Sequence, residues 1–389
     1  MRRKTSTRRR AGSNLPPYQD SHNAALSTIR SFLKGRICYD AFPISFRLII
    51  LDTKLSVKGA LQCVVSAPLW NSEKSEFAGM LTVLDIIHLI QYYWRITASY
   101  DFAAEDVETL RLERLREIEI ELGVAQPPLL RKPPSSTLYE AAQVLVQTHA
   151  RRLPLVDYDS ETGHEVIVST LTQYRLLKFI SINCHREIQQ LNLSLRRLKI
   201  GTYVAASSPT DLPEGQKPYH PIATATLNTT VFNVVHMFSE RSISAVPIIN
   251  EDGIVVNLYE TVDVITLVRS GSYQSLDLKI SEALKQRSAD FPGVVICTAS
   301  DSLGTLLQLI KKRRVHRLVV VEGEKGRLLG IITLSDVLRY IMGAGTVNNE
   351  SHESKPSQSQ IQAESIQAPP PSPEGPSSPL VSTSTTPSS

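Results

Sequence analysis

The stretch Arg314-Val315-His316-Arg317-Leu318-Val319-Val320-Val321, followed after a polar turn by Gly330-Ile331-Ile332-Thr333-Leu334-Ser335-Asp336, decides the fold. A run of β-branched residues, a turn and a second apolar run spell a β-hairpin, and the apolar spacing beyond Asp336 spells a helix. Working upstream, the same order recurs three times. Ser244-Ala245-Val246-Pro247-Ile248-Ile249 leads to Tyr259-Glu260-Thr261-Val262-Asp263, and Arg152-Leu153-Pro154-Leu155-Val156-Asp157 leads through Val166 to Thr172 and Arg175. The first copy is Ser66-Ala67-Pro68-Leu69-Trp70, returning through Gly79-Met80-Leu81-Thr82-Val83-Leu84-Asp85.

Spacing within the copies is regular: 17 residues from Pro68 to Asp85, 16 from Pro247 to Asp263, 17 from Val319 to Asp336. The second copy is longer by its turn, residues 157–164. Between copies the intervals of 86, 93 and 72 residues are too long and too uneven for a stacked solenoid. Four similar α/β units closed on one another, as two pairs, are expected instead.

Composition sets the outer bounds. The chain has 389 residues, 42% hydrophobic and 21% charged, which suits globular structure in more than one unit. Its four cysteines, Cys38, Cys63, Cys184 and Cys297, show neither C-x-x-C nor zinc spacing, so a reducing compartment is expected and a structural zinc site is not. No apolar run approaches the roughly 20 residues of a spanning helix, and the arginine-rich start is unlike a secretory signal. The net charge of +4 owes much to Arg2, Arg3, Lys4, Arg8, Arg9 and Arg10; the folded part is near balance and demands no polyanion. Residues 1–25 read as a disordered basic arm, and residues 346–389, rich in Ser and Pro, as a disordered tail. Residues 204–219, with Pro209, Pro213 and Pro218, read as a surface insertion, and the first copy's leading helix is short. No Gly-rich phosphate loop, G-x-S-x-G, H-E-x-x-H or kinase Asp-Phe-Gly appears, so no enzyme is expected.

The four copies resemble cystathionine-β-synthase-type (CBS) motifs. Residues 26–345 resemble the gamma-subunit family of the AMP-activated protein kinase, in its fungal, sucrose-nonfermenting form. The resemblance is carried by Ser66 to Trp70, by Leu171-Thr172-Gln173-Tyr174-Arg175-Leu176-Leu177-Lys178-Phe179, by Ser281-Glu282-Ala283-Leu284, by Arg314 to Val321 and by Thr333 to Leu338. It implies an α/β (α+β) fold of four CBS motifs paired into two Bateman modules in a disc. Residues 26–95 would hold the first motif with a segment that docks a beta subunit, 96–183 a linker helix and the second, 184–272 the third with its insertion, and 273–345 the fourth.

The resemblance also implies AMP, ADP and ATP as regulatory ligands, and a kinase catalytic alpha subunit and a beta scaffold subunit as partners. Asp85, Asp263 and Asp336 would accept from ribose hydroxyls; Arg151, Arg152, His316 and Arg317 would meet phosphate; Thr202, Ala223, Ser244, Thr333 and Ser335 would line a tightly occupied pocket. Arg175 stands where an Asp is expected, so the second repeat lacks that acceptor. Val65 and Tyr174 stand where the resemblance to animal members of the family implies two phosphate cations for the first-repeat site. Bland readings stand beside these. Each Thr-x-x-Asp is also a helix capping box, Lys311-Lys312-Arg313-Arg314 is also an exposed helix C-terminus, and His149 and His220 carry no assigned role. Rival functions are a non-sensing scaffold of the same kinase, a four-CBS phosphatase inhibitor and, on the basic arm alone, nucleic-acid binding; no membrane association and no specific nucleic acid is expected. Cytoplasm and nucleus are the expected locations.

Overall fold

The computed structural model describes residues 17–97, 109–205, 219–269, 276–287, 291 and 293–344. Residues 1–16 of the basic arm, 206–218 of the insertion and the tail lie outside the described residues. The strands are β1 (Leu51–Asp52), β2 (Ala67–Asn71), β3 (Glu76–Leu81), β4 (Arg152–Tyr158), β5 (Glu165–Thr172), β6 (Thr202–Tyr203), β7 (Ala245–Ile249), β8 (Val255–Glu260), β9 (Ile296–Thr298), β10 (Arg317–Glu322) and β11 (Arg327–Thr333). β2–β3, β4–β5, β7–β8 and β10–β11 are antiparallel hairpins. Each is irregular at the same step, Leu69/Trp70, Leu155/Val156, Ile248/Ile249 and Val320/Val321. That step lies one residue beyond Pro68, Pro154, Pro247 and Val319, so the spacing read from the sequence marks truly equivalent places.

A leading extended segment runs parallel to each first hairpin strand: Leu51 beside Leu69, Lys132 beside Leu155, Ala225 beside Ile248, Ile296 beside Val319. The helix that follows it is Val57–Cys63, Leu138–Gln147, Val231–Glu240 or Leu303–Lys312. Each opens on a hydroxyl cap (Ser56, Thr137, Thr230, Ser302) that accepts the N–H three residues on. The closing helices are Val83–Thr97, Gln173–Asn183, Thr261–Arg269 and Leu334–Met342.

Burial closes these units in a cycle. Helices of repeats one and three share a core that includes Val57, Leu61, Ile87, Val231, Phe238 and Val264. Those of repeats two and four share another, with Leu138, Leu177, Ile180, Leu307 and Val337. Strand faces join repeats three and four through Ile249, Leu258, Val319 and Leu328, and repeats one and two through Phe77, Val156 and Ile167. All five residues of β7 are therefore buried, because one face meets helices and the other meets a neighbouring sheet.

Three expected boundaries are corrected. The helix Pro17–Lys34 begins inside the supposed disordered arm. Its stripe His22, Ala25, Leu26, Ile29 and Leu33 is buried, and Arg30 Nε donates to the Ile341 carbonyl at 2.6 Å. Segments between hairpins also pair with repeats other than those assigned to them. Residues 110–113 bond the start of the first repeat (Val57 N to Leu110 O, 2.8 Å), and Leu112, Leu115 and Ile118 enter its core. Leu278 accepts from Val231 of the third repeat, and Leu191 accepts from Gly304 of the fourth. Lastly, Thr202 does not enter the sheet of the third repeat. β6 pairs with β11 of the fourth, Thr202 beside Ile331. Gly201 permits this approach with φ +95°, since a Cβ there would lie 2.5 Å from the Ile332 side chain.

Candidate functional site

Arg151-Arg152 stand at the start of β4 and His316-Arg317 at the start of β10, at matching places, and the fold brings both pairs to one recess with the third repeat. Arg317 Nη1 donates to the Ser244 carbonyl at 2.7 Å, and its Nε lies 3.1 Å from Glu260 Oε1. The Arg151 guanidinium donates to the Ser244 hydroxyl. Arg151, Arg314 and His316 stay solvent-accessible while protein atoms surround Arg151 and His316, the condition of side chains lining a concavity.

The electrostatics show how close these cations stand. Burial, then the nearby Arg314, Arg317, Arg152 and Arg151, pushes the His316 imidazolium down to about 4. Burial, then Arg317 and Arg152, pushes Arg151 down to about 10, with Glu260 opposing. Arg152 is lowered by burial and by Arg314. Among the described residues Glu260 is the one carboxylate that acts on Arg151, whereas several cations act on it and on His316. A recess with that imbalance attracts a polyanion, and guanidinium forks suit phosphate oxygens. Arg314, expected to be only a solvated helix end, is part of this field.

The acceptor carboxylates differ sharply. Asp336 Oδ2 accepts from Thr333 N (2.8 Å) and Oγ1 (2.7 Å), while its Oδ1 has Arg339 Nη1 at 3.5 Å, beyond an ordinary hydrogen bond. Asp263 is gripped from both sides: Arg287 Nε is 2.8 Å from Oδ1, and Nη2 is 2.5 Å from Oδ2, which also accepts from Glu260 N. Arg287 stacks 4.0 Å over the Phe291 ring. Asp85 is 5% exposed and receives Thr82 N (2.7 Å), Thr82 Oγ1 (3.1 Å) and Arg116 Nη1 (3.3 Å). Arg116 also bonds Glu119 at 2.6 Å, and Glu119 meets His88 at 3.0 Å. Burial drives Asp85 up to about 6 against the pull of Arg116. Where a ribose acceptor was expected, Asp85 is already engaged by an internal cation.

A shared device lies behind this. Arg116 donates to the Met80 carbonyl, Arg175 to Thr170 and Arg287 to Leu258, each the residue five before the acceptor place. Among the described residues no arginine donates to the corresponding Ile331 carbonyl, where β6 lies alongside. Sequence reading missed Arg116 and Arg287 because they sit 31 and 24 residues beyond the aspartates they grip, with no local signal. Ser335 Oγ donates to Gln173 Oε1 at 3.0 Å, tying the second repeat to the fourth. Ala223 is half-buried against the core of repeats one and three, and no hydrogen bond among the described residues ties it or the Thr202 side chain to the recess. Among the described residues no group of three or more His, Cys, Asp or Glu could hold a metal ion.

Comparison with known proteins agrees with this architecture. The CBS domain family matches residues 218–269 and 289–343. The chain is 41% identical over 340 residues to the 5'-AMP-activated protein kinase subunit gamma of Saccharomyces cerevisiae, covering 84% of this chain and 99% of that protein. It is 33% identical over 320 residues to subunit gamma-3 of Homo sapiens, covering 80% of this chain and 60% of that one. A solved structure from Methanocaldococcus jannaschii, described as an archaeal homologue of g-AMPK, matches with a TM-score of 0.57 at 15% identity over 77% of this chain and 98% of its own, a likeness of fold alone. Near-complete alignment with the yeast subunit, on a frame of four equivalent hairpin repeats, means that the chain belongs to the family of 5'-AMP-activated protein kinase gamma subunits.

Proposed function

We propose that this chain is the adenine-nucleotide-sensing regulatory subunit of a heterotrimeric AMP-activated, sucrose-nonfermenting-type protein kinase and catalyses no reaction itself. The observation that carries the reading is the meeting of Arg151, Arg152, Arg314, His316 and Arg317 beside Ser244, with the Asp336 carboxylate half open on the same repeat as His316 and Arg317. The arginines and the His316 imidazole would take phosphate, Asp336 a ribose hydroxyl, and Thr333, Ser335 and Ser244 would hold the walls. Thr202 and Ala223 would be second-rank contacts, and Asp263 would serve a further site in the third repeat only by sharing with Arg287.

AMP, ADP and ATP would compete here, and micromolar affinity needs only about −8 kcal/mol. Regulation depends on the difference between the nucleotides, typically about 1–3 kcal/mol of coupling to the kinase. The segment before the first hairpin would dock the beta subunit, which accords with the exposure of Ile37, Tyr39, Ile44 and Phe46 there; the catalytic alpha subunit would read the nucleotide state. The basic start of the chain suits distribution between cytoplasm and nucleus. Calorimetric titration of the full chain with each nucleotide tests the reading. Micromolar binding is expected, and no binding with Arg317 and Asp336 intact would overturn it.

One observation favours a second reading, a scaffold that does not sense: two of the three candidate acceptors are already held by internal arginines. In that case substitution of Arg152 and Arg317 would leave kinase regulation unchanged, whereas the sensor loses it.

A further inference from the structure

The loop that delivers Arg151 to the recess also touches the acceptor of the fourth repeat. His149 stands in this loop with φ +55°, a left-handed conformation set by the turn between the helix Leu138–Gln147 and β4. The Ala150 carbonyl accepts from Gln173 Nε2 at 2.8 Å, and Gln173 in turn accepts from Ser335. The loop is thereby held against the first turn of the helix Leu334–Met342. Across that junction His149 Nδ1 lies 3.1 Å from Arg339 Nη2, while Arg339 Nη1 stops 3.5 Å short of Asp336 Oδ1.

Building on the nucleotide reading above, we propose that His149 is a positioning residue for Asp336: its imidazole holds the Arg339 guanidinium off Oδ1 and keeps that oxygen open to a sugar hydroxyl. Arg339 is three residues beyond Asp336 on the same helix, the spacing at which the two would otherwise pair closely. Nδ1 accepts from Arg339 only while it carries no proton. Protonation turns the ring into a cation beside a guanidinium, and Arg339 then has Asp336 as its remaining partner. The charged groups facing His149 are Arg339 and Asp336 on the opposing helix, and Arg151 and Arg152 follow it in its own loop. Burial and Arg339 both lower the imidazole from its ordinary 6.5, so the open arrangement persists through neutral pH and fails on acidification.

The test is a double-mutant cycle on the full chain, with adenosine and AMP as the calorimetric probes. His149→Gly suits the left-handed backbone and removes the acceptor; Arg339→Gln removes the competitor; thermal melts confirm that each variant folds. His149→Gly is expected to weaken both ligands roughly three- to fivefold, the scale of one partly screened ion pair. Arg339→Gln should not weaken them, and the double variant should bind like the parent. Lowering pH from 7.5 to 5.5 should weaken adenosine binding in the parent and not in His149→Gly; adenosine has no phosphate, so His316 does not confuse this profile. Equal affinity of parent and His149→Gly, or the same loss with and without Arg339, overturns the proposal while AMP binding still stands. A parent chain that binds neither ligand overturns the nucleotide reading and this proposal together.

Discussion

Thr82-Val83-Leu84-Asp85 and Thr333-Leu334-Ser335-Asp336 occupy the same place in repeats one and four, and in both the carboxylate turns back onto its own Thr N–H. Their surroundings then part company. Asp85 is sealed with Arg116, Glu119 and His88 in a buried ionic cluster, whereas the Asp336 side chain is 21% exposed and has one oxygen without a close donor among the described residues. Phosphate-binding groups differ in the same sense: the first repeat has Val65 before its strand, and the fourth has the His316 imidazole and the Arg317 cation at the start of its own. At an effective dielectric near 20, a charge pair at 4 Å is worth about 4 kcal/mol before desolvation, so an internal arginine outbids a neutral sugar hydroxyl for Asp85. The same motif has become a structural brace at one end of the chain and an open acceptor at the other.

The sharpest way to break this contrast is to remove the brace. Arg116→Met strands two buried carboxylates and is expected to cost about 3 kcal/mol of stability, read as a lowered denaturant midpoint. Arg339→Gln should shift it by less than about 0.5 kcal/mol. If the two variants unfold alike, the first-repeat cluster is not structural. Next in size is ligand binding. Arg317→Met should weaken AMP roughly 30-fold and Asp336→Asn roughly tenfold, the range for losing charge-assisted hydrogen bonds. Asp85→Asn should leave AMP affinity unchanged; a loss there would mean that the first repeat does hold nucleotide.

A pH experiment sharpens the brace itself. Because Asp85 rises from its ordinary 3.8 to about 6 on folding, the folded chain binds the extra proton between those values. Its contribution is complete below 3.8 and is lost as pH climbs through about 6. Stability of Asp85→Asn relative to the parent should therefore rise across that window, measured by midpoints at pH 4, 5 and 6. The smallest expected effect is proton uptake on binding. A phosphate that neutralises the surrounding cations raises His316 from about 4, so AMP should draw in a fraction of a proton near pH 6. The AMP phosphate itself titrates at about pH 6, so the expected signal is a difference: buffer-dependent binding enthalpies should report more protons taken up, or fewer released, by the parent than by His316→Ala.

Repetition is what made the fold legible. Pro68, Pro154, Pro247 and Val319 mark one geometric step because four copies obey the same strand–turn–strand spacing, and a hairpin is a local object whose residues lie close along the chain. Basic pairs at matching places in copies two and four were equally visible, since equivalence in sequence carries over to equivalence in space. The exchanged segments were not visible. Residues 110–113 close the first repeat and Leu191 the fourth by backbone hydrogen bonds, and a backbone bond leaves no mark in side-chain type. The N-terminal helix was not legible either, because its first turns are polar except where His22 turns inward.

By itself, then, the sequence determined the number of repeats, the hairpin in each, and which residues have the chemistry to hold phosphate and sugar. Only the tertiary structure decided which of those residues are at liberty to do so, because availability is a contest among neighbours. Arg116 and Arg287 reach Asp85 and Asp263 from tens of residues away, while Arg339 is drawn aside by His149. A carboxylate's identity is covalent and can be read one position at a time; its free lone pair depends on what chain closure brings within about 3 Å.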